Sequence, residues 1–552
     1  MRAGRFLIAA AALAAAWSGT SQAASPPPPQ PKLIVAIAVD QFAEDLFAHY
    51  RPSFTGGLKR LSDGIAFTGY QSHAATETCP GHSTILTGRH PAATGIVANT
   101  WFDAKSGSSV YCVAVKGTAD PDARGPQNLR VPTFGEWLKQ VQPQARVIAI
   151  SGKDRAAIMM AGHHPDAVYW WNDGVGFTTS SYAGPATPAV LAPAQAFDKA
   201  LFARWKASPP KLWPTDIPAA CRALETPHMF GKLKLSGKVP PDLSLTVESG
   251  DFLHRTDFQD QLRVSPLFDP LTVEFVNQTI DRLHLGHGPP TDLLAVSLST
   301  TDYIAHRYGN GGAETCVQMV ALDQAIGALL AKLDSLGVPY VVALTADHGG
   351  SDAAERAREN GVDAHRVDPV AFVKRLNDAI GKQLGVNYET IVGDDPQQLT
   401  INVGPDEALR AKVREAAVAW LKQQPEIAEV YTADQTAAAA VPPGKPADQL
   451  TVLERFHESY DKERSGDIQV EFLQNSTLYM ARGPGDTVAG HGSPWDYDRR
   501  VPILFWWPGV MPEERKEPIE TVDIAPTLAG IAHIPAPQMD GKCLEAVAGS
   551  CR

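Results

Sequence analysis

The sequence predicts an α/β protein with a mostly parallel central sheet covered by helices on both faces. Three observations lead there. Short apolar runs rich in β-branched residues recur without polar alternation, the pattern of strands buried on both faces. Segments with helical apolar spacing lie between them. Acidic and imidazole residues directly follow several runs, where an open α/β sheet gathers its ligands.

In chain order, Arg2 and Arg5 precede the apolar run Phe6 to Trp17, and Ser21-Gln22-Ala23 then supplies a small-residue cleavage site. Residues 1–23 read as a secretory signal peptide, because a membrane-crossing helix needs about 20 apolar residues and this run stops at Ser18. A Pro-rich tether over 24–32 leads into the first strand, Leu33 to Val39. Val147 to Ile150, Leu293 to Leu298, Tyr340 to Leu344 and Val501 to Phe505 are the further buried strands. Cys316 to Leu336 is helical, since Val320, Leu322, Ile326, Leu329, Leu330 and Leu333 recur on one face.

Two regions break the alternation. Residues from about 160 to 285 are rich in Pro, Trp and Gly, and those from about 365 to 485 hold the Ala/Pro stretch Thr436 to Pro446. Both read as insertion subdomains in one catalytic domain spanning 33–552. Trp170, Trp171 and Tyr182 read as buried core aromatics rather than as a border to the substrate entrance. No stretch after the leader is long and apolar enough to cross a membrane, so the mature chain is expected to lack an anchor and to be periplasmic or secreted.

Of the 552 residues, 44% are apolar and 20% charged, which excludes collagen-like, disordered and coiled-coil classes. The 49 Lys and Arg against 61 Asp and Glu give −12, or −14 once Arg2 and Arg5 are removed with the leader. That balance opposes a nucleic-acid-binding surface, and an anionic substrate would need locally arranged positive charge. Export permits disulfides among Cys79, Cys112, Cys221, Cys316, Cys543 and Cys551. Cys543 and Cys551 are close enough in sequence to pair, the other partners stay open, and the absence of a C-x-x-C spacing disfavours zinc–thiolate binding.

The strand ends carry the chemistry. Asp40 follows the first run, Asp302 and His306 follow Leu293 to Leu298, and Asp347 with His348 follows Tyr340 to Leu344. Asp302 and His306 are four apart, which on a helix puts both on one face. Singly, each has a plain explanation as a helix cap, a solvated face or a turn. Jointly, three carboxylates and two imidazoles exceed what one four-coordinate zinc requires and favour two metals. At Thr78-Cys79-Pro80-Gly81-His82 a hydroxyl residue opens a helix whose free amides and dipole favour a phosphoryl anion.

From Leu33 to Asp523-Ile524-Ala525-Pro526-Thr527-Leu528, the chain resembles the alkaline phosphatase superfamily. The likeness is to bacterial Thr-nucleophile phosphate monoesterases close to the nucleotide pyrophosphatase/phosphodiesterase branch. The resemblance implies Thr78 as nucleophile. It implies one zinc held by Asp40, Thr78, Asp347 and His348, and a second held by Asp302, His306 and His491 of Gly490-His491-Gly492. It also implies that Asn99, Lys153 and Arg155 contact the phosphoryl oxygens. Two cations and an amide suit a monoester, which carries one more negative charge than a diester. The donors suit zinc and are compatible with manganese or iron. His82 reads as a supporting or packing residue rather than a ligand.

The expected activity is hydrolysis of small-molecule phosphate monoesters through a phospho-threonine intermediate, releasing inorganic phosphate. A phosphodiesterase or nucleotide pyrophosphatase with the same metals is the nearest rival, which Lys153 and Arg155 oppose. A sulfatase lacks its Cys-x-Pro-x-Arg signature here, since Pro80 directly follows Cys79. An exported binding protein without turnover is opposed by the hydroxyl at Thr78.

Overall fold

The strand Leu33–Val39 is buried along its whole length, and its alternate residues feed two different cores. Leu33, Val35, Ile37 and Val39 pack into one, whereas Ile34, Ala36 and Ala38 pack into the other. With no solvent face, apolar residues are favoured at every position, and the polar alternation of a one-sided strand is lost. The structure, a computed structural model, describes residues 27–118, 120, 122–180, 188–242, 256–393 and 395–551. The leader 1–23, the start of the tether and Tyr182 lie outside the described residues.

The central sheet is built from β1 (Leu33–Val39), β2 (Ile65–Tyr70), β3 (Val147–Ser151), β4 (Ala167–Asn172), β5 (Gly176–Thr178), β6 (Asp292–Leu298), β7 (Tyr340–Thr345), β8 (Arg500–Trp506) and β9 (Glu513–Glu520). Their spatial order is β9-β2-β8-β7-β1-β6-β3-β4-β5. Only β8 and β5 run against the others, so the sheet is mostly parallel, as expected. The direction of β8 was not legible, because an unbroken apolar run reports burial on both faces and says nothing about polarity. Strand β9 is a charged edge strand, Glu-Glu-Arg-Lys-Glu-Pro-Ile-Glu, with an irregular register between Arg515 and Ile519. Charge, Pro and irregularity blunt an edge that could otherwise recruit another strand.

Helices cover both faces. Those that matter for the site are α1 (Thr78–Ile85), α2 (Asp154–Ala161) and α3 (Thr300–Tyr308), with α4 (Ala313–Ser335) behind them. Helix α4 corrects one expectation, since by length and composition it could cross a membrane. It buries Cys316, Leu322, Ile326, Leu329, Leu330 and Leu333 in the larger core, which accounts for its apolarity.

Within 160–285, β4 and β5 extend the central sheet. Trp170 and Trp171 are buried there, and Phe177 stacks on Phe275 with centroids 4.3 Å apart. Within 365–485, Ile391–Val392, Gln398–Ile401, Ile468–Phe472 and Ile427–Thr432 form a second, antiparallel sheet. It has its own core, including Leu376, Ile380, Leu399, Val413 and Val470. Disulfides join Cys79 to Cys112, Cys221 to Cys316 and Cys543 to Cys551.

Candidate functional site

Register brings the site together. Strand β1 pairs in parallel with both β6 and β7, with Val39 opposite Leu298 and Ala38 opposite Thr345. All three chains therefore leave the sheet side by side at their carboxyl ends, and the Asp40 N–H donates to the Leu298 carbonyl at 2.9 Å. Asp40 caps no helix, and its carboxylate is fully buried. His348 Nε2 lies 3.6 Å from Asp40 Oδ1 and 3.4 Å from Asp347 Oδ2. The other ring nitrogen of His348 is 2.8 Å from the Gly349 carbonyl, which aims Nε2 into the cluster.

The second group starts on α3. Asp302 and His306 share one face, with His306 Nε2 3.2 Å from Asp302 Oδ1. His491 comes from a loop far along the chain and places Nε2 3.4 Å from the same oxygen. Both rings are held by backbone carbonyls, His306 Nδ1 at 2.8 Å from Ala489 and His491 Nδ1 at 2.8 Å from Thr76. The His348 and His491 rings stack at 3.6 Å between centroids, so the two groups adjoin.

Helix α1 presents Thr78 at its first position, buried beside these groups. The helix approaches β7 so closely that a Cβ on Gly81 would lie 1.9 Å from the Asp347 carbonyl oxygen, so only glycine fits there. His82, one turn after Thr78, has Nδ1 3.0 Å from Asp347 Oδ2 and Nε2 2.9 Å from Ser297 Oγ, tying helix to strand ends. Arg155 Nη2 is 3.4 Å from Thr78 Oγ1. Lys153 Nζ lies 2.7 Å from Asp40 Oδ2, and Asn99 Oδ1 accepts the Cys79 N–H at 2.8 Å. The residues that the sequence offered as metal ligands, nucleophile and phosphoryl contacts thus gather in one place. Two neighbours had no sequence signal: Glu77, whose carboxylate accepts the Asn99 N–H, and Tyr303, whose ring centre is 4.8 Å from Lys153 Nζ.

The electrostatics are those of carboxylates crowded out of water. Burial, with Asp302 and Asp347 nearby, pushes the Asp40 carboxyl well above its usual range despite Lys153. Burial acts the same way on Asp302, but Lys153 and His306 outweigh it and hold that carboxyl well below the usual range. Burial drives His348 down to about 3, and lowers His491, so both rings are neutral and able to donate a lone pair.

Among the described residues, Asp40 Oδ1, Asp302 Oδ1 and His348 Nε2 are buried without a hydrogen-bond partner. Orphaned acceptors of this kind are costly unless a cation meets them. Donor atoms of Asp40, Asp347 and His348 lie within 4.8 Å of one another, as do those of Asp302, His348 and His491. Mixed carboxylate and imidazole donors in two adjoining groups fit divalent metals.

Known proteins resemble this chain over most of its length. The family model for type I phosphodiesterase / nucleotide pyrophosphatase matches residues 34–494. Alkaline phosphatase PhoK of Sphingomonas sp is 40% identical over 534 residues, covering 94% of this chain and 92% of that protein. Alkaline phosphatase PhoD of Zymomonas mobilis subsp. mobilis is 40% identical over 527 residues, covering 93% and 88% respectively. The crystal structure of wild-type alkaline phosphatase PafA superposes with a TM-score of 0.80 at 26% identity, covering 94% of this chain and 99% of that one.

Proposed function

Because the chain belongs to the type I phosphodiesterase / nucleotide pyrophosphatase family, within the alkaline phosphatase superfamily, and is a phosphoric monoester hydrolase, we propose that it is an exported alkaline phosphatase working through a phospho-threonine at Thr78. The carrying observation is that the buried Lys153 touches both adjoining donor groups and the half-buried Arg155 reaches the Thr78 hydroxyl.

Asp40, Asp347 and His348, with Thr78, would hold one zinc, and Asp302, His306 and His491 the other. When bound, the two ions supply positive charge that lowers the pKa of the attacking and leaving oxygens and offsets charge on the transferring group. Thr78 Oγ1 loses its proton to solvent and forms a bond to phosphorus as the ester P–O bond breaks, and the leaving alkoxide takes a proton from solvent to depart as the alcohol. A water then cleaves the Oγ1–P bond, giving inorganic phosphate and restoring the hydroxyl. Arg155 and Lys153 meet the non-bridging oxygens, which carry most of the charge in phosphoryl transfer. Asn99 donates through Nδ2, since its Oδ1 is taken by the Cys79 N–H. The helix terminus at Thr78 adds the favourable end of its dipole.

Small-molecule phosphate monoesters are the substrates this arrangement suits. Export rests on the leader Arg2 to Ala23 and is supported by the three disulfides, which an oxidising compartment maintains. Diester hydrolysis is the second reading, favoured by the name of the matching family and opposed by Lys153 and Arg155. The test is steady-state turnover of an aryl phosphate and of its methyl diester at alkaline pH, with and without chelator, in wild type and Thr78→Ala. The expected outcome is a higher kcat/KM for the monoester, lost with chelator and in the variant. Preference for the diester would overturn the assignment, and an active Thr78→Ala protein would overturn the covalent route.

A further inference from the structure

Asn99 is held by both ends of one disulfide. The Cys79 N–H donates to Asn99 Oδ1 at 2.8 Å, and the Cys112 N–H donates to the Asn99 carbonyl at 2.9 Å. Cys79 and Cys112 are bonded to each other, and both are fully buried. The Asn99 N–H is taken by the Glu77 carboxylate. Backbone donor, backbone acceptor and side-chain oxygen are thus all engaged by residues at the start of α1 or bridged to it, leaving Nδ2 as the donor for a ligand.

The setting explains why such a clamp matters. Asn99 and Cys112 flank a two-stranded hairpin, Thr100–Asp103 with Ser108–Tyr111, and form its next rung. Ser108 and Ser109 are exposed, and the hairpin pairs with neither of the larger sheets. Trp101 and Val110 pack the hairpin into the smaller of the central sheet's two cores, while at its base one backbone hydrogen bond joins Cys112 to Asn99, a single contact that the disulfide reinforces covalently. The covalent link runs from that base to the residue directly after Thr78.

We propose that the Cys79–Cys112 disulfide is a positioning element for the reaction, locking the phosphoryl-binding amide of Asn99 to the helix that carries Thr78. This rests on the reading of Asn99 as a phosphoryl contact. The bridge does not touch substrate and acts through Asn99.

A double-mutant cycle tests it, using the full metal-loaded protein. Asn99→Ala, the paired Cys79→Ala/Cys112→Ala and the combination are assayed on an aryl phosphate, with inhibition by inorganic phosphate and thermal melting measured in parallel. The paired cysteine variant is expected to lose about three- to tenfold in kcat/KM, the scale of one weakened hydrogen bond, and to be inhibited less by phosphate. In the Asn99→Ala background the same cysteine changes should cost almost nothing further, because residues acting as one unit are non-additive. Removing Cys543–Cys551 is the control and should leave turnover unchanged. An equal loss in both backgrounds, or no loss with the bridge gone, would overturn the proposal. Asn99→Ala with wild-type kinetics would instead remove the phosphoryl-contact reading beneath it, and the proposal with it. If the cysteine pair does not fold, the single Cys112→Ala change, which opens only this bridge, made in native and Asn99→Ala protein supplies the same comparison.

Discussion

The Lys153 ammonium lies 2.5 Å from Asp302 Oδ2, the carboxylate whose other oxygen faces the His306 and His491 rings at 3.2 and 3.4 Å. The same Nζ reaches Asp40 at 2.7 Å, so one buried cation touches both donor groups. Burial opposes its charge, but Asp302 and Asp40 more than compensate and push its pKa up. Lys153→Ala is expected to lower kcat/KM for a monoester by about 100-fold or more, the scale of removing one charge-stabilising donor. The diester should suffer less, so the ratio of the two specificities moves toward the diester.

Metal removal should expose how far the fold depends on the ions. Without them, Asp40, Asp302 and Asp347 share one buried region with Lys153 as the cation touching two of them. Chelation is expected to abolish turnover and lower Tm, and added zinc to restore both. Asp40→Asn should lower the bound zinc measured by elemental analysis.

Gly81→Ala tests the approach of α1 to β7. The added methyl would meet backbone, the Asp347 carbonyl at 1.9 Å, which cannot rotate away. The expected cost is about 1–3 kcal/mol of stability, the scale of overpacking. Activity should fall further than stability, because the shift moves Thr78 relative to Asp347 and His348. Denaturant melts and steady-state kinetics on the same preparation separate the two effects.

His90 offers a pH-dependent contact away from the metals. Its Nε2 lies 3.6 Å from a Glu458 oxygen and 3.4 Å from a Glu520 oxygen. Burial alone would lower its pKa, but Glu458, Glu520, Asp540 and Asp523 raise it above the ordinary value. A raised histidine stabilises the fold below its unfolded pKa, about 6.5, and that contribution disappears as pH rises through the folded value. His90→Gln should therefore destabilise the protein more at about pH 6 than at about pH 9, as read by thermal melts across that range.

What the sequence by itself determined was the sheet and the residues standing at its strand ends. Two-faced burial removes polar alternation, and that left Leu33 to Val39, Leu293 to Leu298 and Tyr340 to Leu344 legible with Asp40, Asp302 and Asp347 beyond them. His491, Asn99, Lys153 and Arg155 were reached only through family resemblance, because spacing along the chain carries no distance between segments hundreds of residues apart. Tertiary structure alone decided that β8 runs antiparallel, that Glu77 and both ends of the Cys79–Cys112 bridge hold Asn99, and that Lys153 spans Asp40 and Asp302. Periodicity records which side of an element is dry, a local property, whereas convergence depends on register and on how closely α1 can pack against β7. The local pattern therefore marked the strand ends, and packing made them a site.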